Sequence, residues 1–290
     1  MDAKTFFRKL DRIYDIPTIP AVALKVDKML QNYDVSINEL SKVISKDQSI
    51  VTKILKLVNS AFYGFRTRIS NIPHAMVLLG FNTVRNAIIS IAIIDSLSFK
   101  ESIEGFDIQD FWRHSVAVAV VSRVLAEKTR LSIPDEAFVG GLLHDMGKVI
   151  LARYFTDLFQ QVWSAAHKED MFFYETEKTL LPATHPQIGA HMAGKWRLPA
   201  NLIEIIKCHH EPIKGTDNFN LVLIVHAADV IVNNFSADLE FPHDFSAIHE
   251  DAAEIMSYQL KTVSEWFPEV ADEIESACEF FLEEGRDPIK

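Results

Sequence analysis

Apolar residues recur along this chain at three- and four-residue intervals, the period of an amphipathic helix. Ser36-Ile-Asn-Glu39 reads as a capping box ahead of Ile37, Leu40 and Ile44, which share one face. After Asp47, Ile50, Val51, Ile54, Leu55 and Val58 keep helical spacing until NSAFYG, where Gly64 allows a left-handed turn. Pro73 suits a first helical turn, Gly80 ends that short helix, and a long apolar helix follows from about Thr83 to Leu97. Asp107 caps a helix whose stripe is Phe111, His114, Val118, Val121 and Leu125. Further helices are predicted over roughly 135–146, 150–168, 170–180, 186–196, 199–209 and 219–233. Towards the end, Ala252, Ile255, Met256 and Leu260 share a face, and a second amphipathic run lies near 268–282. Many of these segments are rich in Val and Ile, which taken alone suit strands. Strict alternation is short and rare, however, and no Asn-Gly or Asp-Gly hairpin turn occurs. The fold class is therefore all-α: a multi-helix bundle with a helical N-terminal lobe.

A chain of 290 residues has room for one large domain or two ordinary ones. The polar stretch KESIEGFD at 100–107 is the best linker, which divides the chain into 1–105, 106–245 and an acidic tail, 246–290. The tail holds 12 acidic and 3 basic residues and reads as a helical cap, with a partner-binding surface as the alternative. Charge is uneven. Residues 1–105 carry 14 Lys and Arg against 10 Asp and Glu, a balance of +4, while the remaining 15 and 30 leave −15. That distribution opposes approach to a polyanion, so no sequence-specific DNA binding is expected. The helical pair 36–45 and 47–59 resembles a helix-turn-helix, but neither member has an Arg- or Asn-rich recognition face. Cys208 and Cys278 lie far apart and form no CxxC, which excludes a disulfide framework and a zinc ribbon. MDAKTFFRKLDRIYD lacks the apolar core of a secretory signal, and the longest apolar run, AIISIAII at 87–94, is too short to span a bilayer. A cytoplasmic location, with no membrane partner, is expected.

One stretch resists a purely structural reading. FVGGLLHDMGKVI at 138–150 sets His144 and Asp145 side by side in a run that otherwise resembles a buried helix face. An unpartnered carboxylate in an apolar interior costs several kcal/mol or takes up a proton. Neighbours on a helix point about 100° apart, so these two cannot form a site alone. Gly147 suggests that the helix ends here, which would let both side chains reach one cavity. Ligand-type company exists elsewhere: His114 among apolar neighbours, His185 before Pro186, the adjacent pair His209 and His210, and Asp229 inside LVLIVHAADVIV. This donor set suits iron, manganese, zinc or nickel, and a shared aspartate can bridge two ions about 3.5–4 Å apart. Such a pair of ions makes a nucleophile of water at neutral pH, as phosphoester hydrolysis requires.

The order of these residues (a lone His, HDxGK, HPxIG, HH and a late Asp) resembles the HD superfamily of metal-dependent phosphohydrolases, its HD-GYP branch above all. IPTIPAVALKV, ISKDQSIVTKILKLVNSAFYG and ISNIPHAMVLLGFNTVRNAI are similar to the N-terminal signature of the narrower HDOD family. Together the motifs run from Ile16 to Asp229, and the chain is identified as a member of the HDOD family. The resemblance implies one metal among His114, His144, Asp145 and Asp229. Asp145 would bridge to a second metal held by His185, His209 and His210. Lys148, the lysine of HDxGK, would contact a substrate phosphate; neutralising the carbonyl end of its helix is the plainer role. Two transition-metal ions are expected, with iron or manganese ahead of zinc or nickel. After Glu211 the chain reads PIKGTDN and departs from the Arg, Asp and Gly-Tyr-Pro of the HD-GYP branch.

Two functions follow. The leading one is a bacterial signal-transduction protein whose metal centre serves a ligand- or partner-binding module, the ligand being a nucleotide or cyclic nucleotide, or the partner a signalling protein. The alternative is a metal-dependent phosphohydrolase in which Asp145 and Lys148 are the catalytic residues. His226, one turn before Asp229, reads as a buried histidine satisfied by backbone, with support of a metal ligand as the alternative. His191 reads as a surface residue.

Overall fold

The computed structural model describes all residues except 17, 19–20, 31–34, 60–67, 100, 170, 238–244 and 283–290. The segment Ser60–Phe65, with the expected turn at Gly64, therefore lies outside the described residues. Among the described residues the fold is helical without a strand. The first six helices are α1 (Ala3–Asp11), α2 (Ala21–Leu30), α3 (Ile37–Ile44), α4 (Gln48–Val58), α5 (Ile72–Leu79) and α6 (Phe81–Leu97). Next come α7 (Ile108–Thr129), α8 (Pro134–Leu143), α9 (Met146–Tyr154), α10 (Thr156–Glu169), α11 (Phe173–Leu180) and α12 (His185–Lys195). The series ends with α13 (Ala200–Cys208), α14 (Phe219–Ala237), α15 (Glu250–Ile255), α16 (Ser257–Lys261) and α17 (Val263–Leu282).

The chain forms two compact units, each assembled from separated stretches rather than in chain order. One comprises Met1–Pro17 and Leu97–Leu260; the other comprises Thr18–Ser96 and Lys261–Lys290. In the second unit, α2 and α5 pack on α3, and α4 packs on α5. Local chemistry explains these helices. Ser36 and Glu39 close the reciprocal capping box on α3, Asn71 caps α5, and Gly80 ends α5 at φ 84°, where a Cβ is disfavoured. Lys53 of α4 and Asp95 of α6 pair at 2.6 Å. The second amphipathic run of the tail begins earlier than its spacing suggested. The run was expected near 268–282, yet α17 starts at Val263 and holds Pro268 inside it, because Trp266 and Phe267 are buried and packing outweighs the lost backbone bond.

The first unit is built around α7, α8 and α14, which pack on one another, while α12 lies against α9 and α13. Asp107 accepts from the backbone N–H groups of Gln109 and Asp110 at the start of α7. Val116, Val118, Val120, Val121 and Leu125 are fully buried, so α7 is apolar on nearly every side. The same holds for α14 from Leu223 to Val225. A helix that is apolar all round is an interior helix, and His114 and Asp229 lie on these two. The segment expected as one helix over 150–168 is two: Phe155, at φ −134° and ψ 48°, breaks the chain between α9 and α10. No single helix among the described residues is long and apolar enough to cross a membrane; α5 and α6 reach that length only together, across a 117° bend. Cys208 and Cys278 are both buried thiols.

Candidate metal centre

The helix expected over 135–146 stops earlier. His144 caps α8, Asp145 adopts φ −98° and ψ 4°, and α9 starts at Met146. This kink, rather than a helix end at Gly147, turns two adjacent side chains towards one place. Gly147 lies inside α9, and its role is close approach: a Cβ there would overlap the carbonyl oxygen of His185 on α12. The missing side chain brings the Asp145 end of α9 against the His185 end of α12.

All seven predicted residues meet at one locus in the first unit. The carboxylate of Asp145 is buried and its two oxygens face different partners. Oδ1 lies 3.0 Å from His185 Nε2 and 3.5 Å from His209 Nε2. Oδ2 lies 3.4 Å from His144 Nε2 and 3.9 Å from His114 Nε2. Asp229 Oδ1 joins the second group, 3.1 Å from His114 Nε2 and 3.6 Å from His144 Nε2. His210 Nε2 joins the first, 3.2 Å from His185 Nε2. One oxygen or nitrogen from each of Asp145, His185, His209 and His210 falls within 4.8 Å of the others, and so it does for His114, His144 and Asp145. His144, His185 and His209 are fully buried, whereas His114 and Lys148 keep about a quarter of their side chains exposed, which places the open side of the locus near them.

Four helix ends and two helix interiors supply this set, which is why no short motif contains it. His144 and His209 are the C-caps of α8 and α13, His185 is the first residue of α12, and His114 and Asp229 project from α7 and α14. Each buried imidazole is fixed through its other nitrogen. His144 Nδ1 is 2.6 Å from Gly141 O, and His209 Nδ1 is 3.0 Å from Ile206 O, so both rings donate there and turn Nε2 inward. His185 Nδ1 instead meets Glu177 Oε2 at 2.5 Å, and its backbone N–H donates to Glu177 Oε1 at 3.1 Å. Glu177 is fully buried and was missed in the sequence, where ETEK reads as a solvated helix face. Its spacing four residues after Phe173 was the available signal. His226 serves the backbone, as expected: Nδ1 donates to His209 O at 2.7 Å and Nε2 accepts the His249 N–H at 2.9 Å. His191 is a partly exposed residue paired with Asp11 at 2.8 Å.

Lys148 donates to Asp145 Oδ2 at 2.6 Å from the first turn of α9, so the carbonyl-end role considered for it does not apply. Burial alone would raise the Asp145 carboxyl, but Lys148, His144 and His185 hold it well below the usual carboxylate range. For Asp229, the neighbouring imidazoles of His114 and His144 likewise overcome burial and keep the carboxyl low. His144 is pushed up to about 10: burial opposes the charge, and Asp145 and Asp229 outweigh it. His209 goes the other way, held at about 4 by burial against the opposing pull of the Asp145 carboxylate, and His210 is pushed down by burial and by His209 and His185. A histidine depressed in the fold contributes stability above its ordinary value of 6.5, and that contribution is lost as pH falls towards 4. Chelator-treated protein should therefore lose melting temperature as pH drops through this window, and His209→Gln, with nothing to protonate, should lose less. Equal losses in the two proteins would contradict the assignment.

The donor set fits a transition metal. His144 Nε2 and Asp145 Oδ1 are buried and make no hydrogen bond of acceptable geometry, although both are aimed into the cluster. Orphaned buried polar atoms of this kind cost about 1–3 kcal/mol each unless something satisfies them. Imidazole nitrogen and carboxylate oxygen, with His144, His185 and His209 each backed by an oriented acceptor, are the ligand chemistry of iron, manganese and zinc sites.

Comparison with known proteins agrees with this architecture. The chain is 26% identical over 201 residues to an uncharacterized protein of Treponema pallidum, a match covering 69% of this chain and 38% of that protein. It is 28% identical over 123 residues to ribonuclease Y of Pelobacter propionicus, covering 42% of this chain and 18% of that one. The chain thus spans well under half the length of either curated relative. Among solved structures, an HDOD domain protein of unknown function from Geobacter sulfurreducens is similar at 25% identity and a TM-score of 0.79, with 97% of each chain covered. A phosphohydrolase candidate from Shewanella amazonensis shares the fold at 23% identity and a TM-score of 0.73, over 94% of this chain and 97% of that one. The family model of the HDOD domain matches residues 16–212, which takes in both the N-terminal signature and the histidines from His114 to His210. The chain belongs to the HDOD domain family.

Proposed function

We propose that the locus holds two transition-metal ions, iron or manganese, and that the protein is a metal-dependent phosphohydrolase acting on a nucleotide or cyclic nucleotide in bacterial signalling. The observation that carries this reading is the division of the Asp145 carboxylate, with one oxygen towards His185 and His209 and the other towards His114 and His144. A single carboxylate placed between two histidine groups is what a bridging ligand requires. Bound ions would supply Lewis-acid polarisation of a phosphoryl oxygen and a water acidic enough to act near neutral pH. The chain's own residues do the rest. Asp229 would join His114 and His144 as a second carboxylate ligand, and the buried carbonyls of Gly141 and Ile206 fix His144 and His209. Lys148, anchored on Asp145 and partly exposed, is a cation at the open side that would meet an incoming phosphate.

The second reading, a ligand-binding regulatory module, is favoured by the surroundings of His210. Tyr174 stacks on its ring at 4.3 Å, and Glu211 pairs with Lys178 at 2.8 Å, where the HD-GYP branch would continue towards Gly-Tyr-Pro. The two readings separate in one assay. Protein loaded with iron or manganese should cleave a cyclic dinucleotide, a nucleotide or a generic phosphodiester above the rate of free metal. Lys148→Ala should lower turnover by about 10–100-fold while retaining metal, because a phosphate contact stabilises charge without generating the nucleophile. Tight nucleotide binding without turnover would replace the hydrolase by the binding module.

A further inference from the structure

Helix α11 offers no ligand to the cluster, yet it touches the His185–His209–His210 half in several ways. Tyr174 stacks on His210, Lys178 pairs with the residue after it, and Phe173 lies 6.4 Å from the His185 ring. Glu177 is the centre of this arrangement. The reason is where His185 sits. His144 and His209 stand at helix C-termini, where unsatisfied carbonyls three residues back accept their Nδ1–H groups. His185 starts α12, and a helix start presents free N–H groups instead of carbonyls. Its ring therefore needs an acceptor from outside its own helix. Glu177 accepts both the ring N–H and the backbone N–H of His185, one on each carboxylate oxygen.

From this geometry we infer that Glu177 is a positioning residue for one half of the metal centre, which it both orients and charges. The inference rests on the metal reading above. Its consequence is that the halves are balanced by different means. The His114–His144 half has two carboxylates in direct reach, Asp145 and Asp229. The His185–His209–His210 half has Asp145 directly and its second carboxylate, Glu177, acting through an imidazole. The two halves are thus inequivalent, one richer in oxygen and one in nitrogen, and they should fill with different affinities. Replacement of the Glu177 carboxylate by an amide leaves one oxygen for two donors and removes the charge.

The test is cobalt(II) titration of chelator-treated full-length protein, followed by its visible absorption, for wild type, Glu177→Gln and Asp229→Asn. Wild type should show two binding events. Glu177→Gln should weaken one of them by about 10–100-fold, change its absorption, and leave the other as it was. Asp229→Asn should weaken the other event. Should Glu177→Gln not fold, Glu177→Asp carries the same test, since it withdraws the carboxylate by one methylene. Two wild-type events that Glu177→Gln leaves unchanged, or weakens equally, overturn the inference while the metal reading stands. A wild type that takes up no cobalt overturns both.

Discussion

Asp145→Asn is expected to empty both halves of the centre at once. The amide that replaces the buried carboxylate has nearly the same volume, so packing around it changes little. Its chemistry changes greatly: one of the two carboxylate oxygens becomes an NH2 group, and the negative charge facing four histidines is gone. Asp229 and Glu177 remain but face one half each, so neither substitutes for a group shared between halves. Lys148 also loses its anchor, leaving a partly buried ammonium beside imidazoles. Turnover should fall by at least about 1,000-fold, a barrier increase of about 4 kcal/mol. Folding should survive, because the buried apolar side chains are spread over many helices, α7, α8 and α14 among them, and do not depend on this one carboxylate. Far-ultraviolet circular dichroism and steady-state kinetics check the two halves of this expectation. Full activity in a folded Asp145→Asn protein would remove Asp145 from the mechanism.

Gly147→Ala should damage both fold and site although it adds a single methyl group. The added Cβ would overlap the carbonyl oxygen of His185 and lie 2.8 Å from the backbone nitrogen of Gly189. Both obstacles are backbone atoms of α12, so no side-chain rotation relieves the clash. The remedy is separation of α9 from α12, which draws Asp145 and Lys148 away from His185. Overpacking of this kind costs about 1–3 kcal/mol and sometimes more. Gly194, on the same helix α12, is the control: nothing lies within 4 Å of a Cβ placed there. Gly194→Ala should be neutral or stabilising by up to about 1 kcal/mol, since Ala is the better helix former. Denaturant unfolding should place Gly147→Ala below wild type and Gly194→Ala at or above it; equal stabilities of the two variants would contradict the close approach of α9 and α12.

How much of this was legible in the sequence depends on the reach of the interaction that decides each feature. The capping box at Ser36, Asp107 and Gly80 act within a turn, and the helices they bound were found where spacing placed them. The break at His144-Asp145 was misplaced by a few residues because the glycine beside it suggested a helix end. Only the distant His185 carbonyl, from α12, reveals that Gly147 is there for contact. Phe155 gave no signal of a break, since neither Gly nor Pro marks the join of α9 and α10. The seven histidine and aspartate positions stood out because buried ionisable residues need company, and their order along the chain resembled a known family. Glu177 did not stand out. A glutamate in the polar run Glu175-Thr-Glu-Lys178 of a short helix is ordinary surface chemistry until the fold places it under His185.

The central claim, two ions sharing Asp145, is tested most directly by elemental analysis of wild type and Asp145→Asn, purified side by side without chelator. The account predicts about two transition-metal ions per wild-type chain, iron or manganese foremost, and a loss of both in the variant. Wild type that retains no metal, even after loading with iron and manganese, or a variant that keeps both ions, would contradict it.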